Sequence, residues 1–209
     1  MRICAYNPIV VLPRLMSDNL SALHFSERKN KINMDSVKHI NSSNIREAAQ
    51  YLRAGDELFL SGTVYSARDA AHKRMLMLIE LGAPLPFDLK DAVIYYCGPT
   101  PARPGMPIGS CGPTTSSRMD SFMPKLLSLG LAATIGKGNR SEEVRQEMIR
   151  HGSIYLCAMG GAGAIAARCI TSCEVIAFEE LGCESVKKME FRDFPLVVGI
   201  DIKGNSLFK

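Results

Sequence analysis

From residue 44 onward the apolar positions fall into short blocks whose period switches between helix and strand. Ile45, Ala48, Ala49 and Leu52 recur at helical spacing, with Asn44 and Glu47 placed as a capping box and Gly55 as the stop. Residues 57–63 (ELFLSGT) predict a strand. The chain then turns near Arg68 into a helix carrying Met75, Leu78 and Ile79. Residues 93–97 predict a short apolar strand, and the Pro- and Gly-rich stretch 99–109 an ordered loop. Next, a Gly112-Pro113 turn gives way to hydroxyl residues and then to Met119, Phe122, Met123, Leu126 and Leu127 at helical spacing. That helix would have Thr114 or Thr115 at its N-cap and Arg118 about one turn inside. Strand-like residues 131–135 and 153–158 flank a helix carrying Val144 and Met148, which Asn139 and Glu142 can cap and His151-Gly152 ends. A helix of small residues begins at Gly160. Strands at 174–178, 186–191 and 196–202 follow, then a turn at Lys203-Gly204-Asn205. Helices alternate with strands in the middle and strands follow one another at the end, which predicts a layered α/β domain with a mixed β-sheet.

Residues 1–33 read differently. The apolar patch Ile9, Val10, Val11 and Leu12 precedes a polar run at 26–31, without the layout of a secretory signal. Residues 1–33 are expected to be an N-terminal extension with little role in the fold, or an upstream start choice, and residues 34–209 the domain. A chain of 209 residues suffices for one sizeable core, and no apolar run reaches membrane-spanning length. The net charge of +4 permits anionic small molecules and lacks the dense, clustered Lys and Arg of a nucleic-acid surface. The 7 cysteines, at 4, 97, 111, 157, 169, 173 and 183, contain no Cys-x-x-Cys pair. They predict reduced, mostly buried thiols in the cytoplasm, with no metal site held by this chain alone.

Candidate chemistry gathers on Arg68, Thr114, Arg118 and Lys137, each placed after a strand and near a helix start. Each has a plain structural alternative. Thr114 and its neighbours can cap a helix, Arg68 can pair with Asp69, and Lys137 can be a solvated residue in a glycine turn. The Gly136-Lys137-Gly138 stretch lacks the spacing of a phosphate-binding P-loop. His72, four residues after Arg68, fits a structural, hydrogen-bonding role. Gly161, Gly163 and Ala166 meet a loose dinucleotide-binding pattern, but close backbone packing accounts better for so compact a Gly/Ala segment. Ligands in α/β sheets collect outside the carboxyl ends of strands, so the four basic and hydroxyl residues can lie side by side. Two guanidiniums and an ammonium would hold a small dicarboxylate and lower the cost of a negatively charged oxygen on Thr114. The residues thus predict an anion site with acid/base chemistry and no visible electrophile.

The blocks SGTVYSARDAAHKRM, YYCGPTPARPG, GSCGPTTSSRMDSFM, IGKGNRSEEV, MGGAGAIAA and DFPLVVGIDIKGN resemble, in this order, the β subunit of class I iron–sulfur fumarate hydratases, which is the C-terminal domain of single-chain members. They are also similar to the β subunit of L-tartrate dehydratase. The resemblance runs from about Met34 to the C-terminus. It implies a swivelling β/β/α fold and a [4Fe-4S] cluster carried by a separate α subunit, in an α2β2 hetero-oligomer. It implies that Arg68 and Arg118 bind substrate carboxylate, that Thr114 is the catalytic base, and that Lys137 takes part in binding and catalysis. The KGNRS block and the DFP-containing end favour fumarate, interconverted with (S)-malate in the tricarboxylic acid cycle, over tartrate, which is converted to oxaloacetate. A non-catalytic anion-binding or assembly module is the rival from another class.

Overall fold

The strand on which the sheet is assembled is β2, Glu57–Ser66, longer than the sequence pattern predicts. Its Leu58, Leu60, Val64 and Ser66 are buried at every second position, the period that puts them on one face. The computed structural model describes residues 37–159, 161 and 163–208. The expected extension, residues 1–33, lies outside them. β1, Lys38–Asn41, lies parallel to β2 along one edge. Beyond β1 on the same edge of β2, β3 (Val93–Tyr95) pairs with Tyr65 and Ser66, and β4 (Ala133–Gly136) and β5 (Ile154–Cys157) follow in parallel order. β7, Val186–Ile200, runs antiparallel to β2 on the opposite edge, to β6 (Ile170–Ala177) through its first part and to β5 through its last. Because β7 joins both β2 and β5, strands β2, β3, β4, β5 and β7 close into a ring, with β1 and β6 outside it. The protein is therefore an α/β structure with a mixed sheet.

The sequence predicts two strands where β7 forms one. Leu60 faces Phe194 and Gly62 faces Phe191, so an extra stretch at Arg192 and Asp193 bulges out without ending the ladder. Asp193 and Gly62 take left-handed φ of 46° and 99° at this bulge. Pro195 falls between the part of β7 that pairs with β6 and the part that pairs with β5, a gap that tolerates its missing N–H.

Alternation along the short strands divides the core. Val93 and Tyr95 face one apolar cluster with α1 (Ile45–Ala48) and α5 (Gly163–Arg168). Ile94 and Tyr96 face the other, with α2 (Asp69–Glu80), α3 (Met123–Ser128) and α4 (Glu142–His151). Helix ends depart from the predicted caps. The chain enters α1 through a 3₁₀ turn at Ser42–Asn44, so Asn41, and not Asn44, accepts the Ser43 N–H at 3.0 Å. Ser141 caps α4 by accepting the Val144 N–H at 3.3 Å, while Asn139 accepts from the adjacent Arg140 N–H. Gly152 ends α4 in the left-handed conformation, as predicted.

The small residues of α5 serve close packing. Gly163 O accepts the Cys111 N–H at 3.0 Å, and a Cβ on Gly163 would lie 3.0 Å from Gly112 N and 2.4 Å from Ser110 Oγ. β5 and β6 both pair with β7 and not with each other, so this segment is not the parallel βαβ unit of a dinucleotide site.

His72 is fully buried, stacked on Phe122 and edge-on to Tyr96. Its Nδ1 lies 2.8 Å from Arg68 O, which only accepts, so Nδ1 carries the proton. Burial is the main cause that lowers its pKa from 6.5 to about 4. The folded value lies below the unfolded one, so the stability contributed by neutral His72 is complete above pH 6.5 and is lost as pH falls toward 4. We expect a loss of about 3 kcal/mol across that window, read from denaturant unfolding, with NMR showing a neutral Nδ1–H imidazole at pH 5.

Candidate active site

The carboxyl ends of β2, β3 and β4 lie side by side because these strands are parallel neighbours. Arg68 follows β2, the Thr114 loop follows β3, and Lys137 follows β4. The loop does more than pass over the sheet. Tyr96 N–H donates to Ile135 O, Thr114 N–H donates to Tyr96 O at 2.6 Å, Lys137 N–H donates to Thr114 O at 3.2 Å, and Ser116 N–H donates to Lys137 O at 2.9 Å. Residues 113–116 thus wedge between the extensions of β3 and β4 as a short added strand, which fixes Thr114 beside Lys137 through main chain alone. Thr114 is half-buried and Lys137 is exposed. The Lys137 ammonium makes no hydrogen bond or ion pair among the described residues.

Of the two predicted N-caps it is Thr115 that starts the helix, with Arg118 inside it, but the helix opens as 3₁₀ and not as α. Thr115 occupies the N-cap position, its side chain makes no cap bond, and a 3₁₀ helix, Ser116–Phe122, comes first. Pro124, which lacks an N–H, stands near the start of α3 and prevents an α-helix from running back through this point. Met119, Met123, Leu126 and Leu127 are nevertheless buried as their spacing predicts.

Arg68 stands at the N-cap of α2, one position before the predicted first turn, and Asp69 takes that turn, where the helix dipole favours an acid. Arg118 forks onto Asp69, with Nε 3.0 Å from Oδ1 and Nη2 2.9 Å from Oδ2. Arg68 Nη2 lies 3.7 Å from the same carboxylate and 3.5 Å from Glu184. Its guanidinium fills the space above Gly98, where a Cβ would come within 2.5 Å of Nη1. The structure thus gathers the four predicted residues as two pairs, Arg68 with Arg118 through Asp69 and Thr114 with Lys137 through the backbone. A cleft of about 570 Å³, lined by Gly62, Thr63, Asp88, Lys90 and Glu190 among others, includes none of them.

Asp120 and Arg140 carry the site and escaped the sequence reading. Arg140 is buried, and its Nε donates to Asp120 Oδ1 at 2.7 Å. Its Nη1 lies 3.2 Å from Thr134 Oγ1 and 3.3 Å from Tyr96 OH, and its guanidinium carbon lies over the rings of Tyr96 and Tyr155, 5.4 and 5.3 Å from their centres. Burial opposes the charge, but Tyr96 and Asp120 outweigh it and hold Arg140 above its ordinary pKa. Asp120 Oδ2 also accepts the Ser141 N–H at 2.7 Å. Tyr155 OH donates to Gly138 O, so the Ser116 hydroxyl donates to Tyr155 at 2.8 Å. A Cβ on Gly136 would lie 2.0 Å from Ser116 Oγ, so only glycine fits there.

The described residues offer no ligand set for an iron–sulfur cluster. Among the described residues no three His, Cys, Asp or Glu side chains converge as metal ligands. Cys97 and Cys111 approach to 3.1 Å, but burial drives the Cys97 thiol well above its ordinary pKa, away from the thiolate that iron needs. No helix among the described residues is long and apolar enough to cross a membrane.

Residues 10–209 match the model of the family described as fumarase C-terminus. The chain is 43% identical over 154 residues to the anaerobic class I fumarate hydratase of Escherichia coli K12, covering 73% of this chain and 28% of that protein. It is 36% identical to fumarate hydratase 2 of Leishmania major, covering 97% of this chain and 34% of that one. A chain of Methanocaldococcus jannaschii named for the β subunit of L(+)-tartrate dehydratase is 35% identical, with 76% and 84% covered. The chain belongs to the fumarase C-terminal domain family, a family of hydro-lyases. It spans about a third of the length of the fumarate hydratases it matches.

The Arg140–Asp120 pair yields a stability prediction. Arg140→Met should cost about 3–5 kcal/mol in denaturant unfolding by stranding the Asp120 carboxylate. Adding Asp120→Leu should recover part of that loss.

Proposed function

We propose that this chain is the β subunit of an iron–sulfur-dependent hydro-lyase that interconverts fumarate and (S)-malate. Its site is completed by a cluster-bearing α subunit in an α2β2 assembly. The observation that carries the reading is the meeting of Arg68 and Arg118 on one carboxylate, that of Asp69, beside the main-chain-fixed pair Thr114 and Lys137. Two guanidiniums already held on a carboxylate suit a dicarboxylate substrate.

In this reading Arg68 and Arg118 bind and orient a substrate carboxylate. Thr114 Oγ1, as the alkoxide, takes the proton from the carbon beside one carboxylate as the C–O bond on the neighbouring carbon of malate breaks and hydroxide leaves. That departure is one the partner's cluster would assist as a Lewis acid, and hydration of fumarate returns both proton and hydroxide. The positive field of the guanidiniums and of Lys137 lowers the cost of negative charge on Thr114 and on the developing enolate. The cluster is assigned to the α subunit, in keeping with the lack of a converging ligand set among the described residues. L-tartrate dehydration to oxaloacetate is the second reading. It is favoured by the length match to the Methanocaldococcus chain, of which 84% is covered.

Anaerobic assay of this chain co-expressed with its cluster-bearing subunit tests the proposal. We expect fumarate-to-malate conversion by the pair and none by either chain alone. Turnover of tartrate and not fumarate would move the assignment to the second reading. No turnover of fumarate, malate or tartrate by a cluster-loaded pair would sink the hydro-lyase role and leave an anion-binding assembly module.

A further inference from the structure

The two arginines project from different loops, and their like charges repel, so something has to hold them together. Asp69 is the group that touches both. It occupies one edge of Arg118, the Nε and Nη2 donors, and leaves Nη1 without a hydrogen-bond partner among the described residues. Its contact with Arg68 is looser, at 3.7 Å, and Glu184 steadies Arg68 from a second direction at 3.5 Å. The other Glu184 oxygen accepts the Ala70 N–H at 2.9 Å, so the same carboxylate secures the start of the helix on which Arg68 and Asp69 sit. Glu184 is itself held in place. The buried Lys187 ammonium gathers Gly182 O at 3.1 Å, Cys183 O at 3.3 Å and Ser185 Oγ at 2.6 Å, tying down the segment around it.

We propose that Asp69, backed by Glu184, is a positioning residue that fixes the geometry of Arg68 and Arg118 and thereby sets the preference of the site for carboxylates over other dianions. The assignment rests on the dicarboxylate reading above and deepens it. Removing Asp69 has two opposed effects on an incoming anion. The site gains positive charge, which strengthens binding of every anion, and it loses the frame that orders two flexible guanidiniums, which weakens binding of a shape-matched one. Fumarate and sulfate carry the same charge, so the first effect largely cancels in the ratio of their affinities and the second remains.

The test uses this chain assembled with its cluster-bearing subunit, the Asp69→Asn, Asp69→Glu and Glu184→Gln variants, and titration with fumarate and with sulfate at constant ionic strength. Arginine Nε–H resonances, assigned with Arg68→Lys and Arg118→Lys, report the two guanidiniums directly, and thermal unfolding checks the fold. In Asp69→Asn we expect both resonances to change and the preference for fumarate over sulfate to fall about tenfold. Asp69→Glu should restore part of the preference, and Glu184→Gln should lower it by less, mainly through Arg68. Unchanged resonances, or an unchanged preference in a folded Asp69→Asn chain, would overturn the assignment. So would a rise in preference, which would make Asp69 a competitor that substrate displaces. If the unaltered assembly does not prefer fumarate, the dicarboxylate reading falls and this assignment falls with it; a preference that survives Asp69→Asn removes only the role of Asp69.

Discussion

The buried contact between Arg140 and Asp120 is the constraint on which the site depends. It joins the loop after β3 to the loop after β4, and these are the loops that carry Thr114, Arg118 and Lys137. A buried guanidinium is costly unless its charge is matched, and here a carboxylate, two aromatic faces and a threonine hydroxyl surround it. Asp120 divides its two oxygens between Arg140 and the N–H of Ser141, so the same group fixes the start of α4. Ser116, Tyr155 and Gly138 close the arrangement from the other side. The site is thus assembled on a polar core inside the sheet edge, and its exposed residues inherit that rigidity.

Much of this was legible in the sequence where a local rule applied. The apolar spacing of Met119, Met123, Leu126 and Leu127 correctly gave a buried face, and Gly152 correctly ended α4. Local rules failed where a distant partner decided the outcome. β7 continues through Asp193 because β2 supplies a matching irregularity at Gly62, which no window around residue 193 contains. Asn139 and Glu142 look like a capping pair, yet Asp120, far away in sequence, draws the chain so that Ser141 becomes the cap. The capping box at Asn44 lost to Asn41 because a 3₁₀ turn precedes the helix.

The site shows the same division. Arg68, Thr114, Arg118 and Lys137 could be singled out because each follows a strand, and their loops do lie on adjacent parallel strands. The pairing of Arg68 with the adjacent Asp69 was readable from the sequence, but those of Asp69 with Arg118, Asp120 with Arg140 and Glu184 with Arg68 were not, since nothing local links them. The predicted helix dipole at Thr114 is replaced by main-chain insertion between two strand ends, which fixes the residue without supplying positive charge. The positive side chain that the main chain does bring beside it is Lys137.

The central claim is that the Thr114 hydroxyl moves the proton. Turnover of fumarate by the assembled enzyme with Thr114→Ala and with Thr114→Ser tests it most directly, with folding and assembly checked for each. Because the backbone bonds of Thr114 do not involve its side chain, neither substitution should disturb the loop. The account predicts that alanine lowers kcat by about 10²–10⁴-fold while serine keeps most of it. An alanine variant that turns over within a few-fold of the unaltered enzyme would contradict the account.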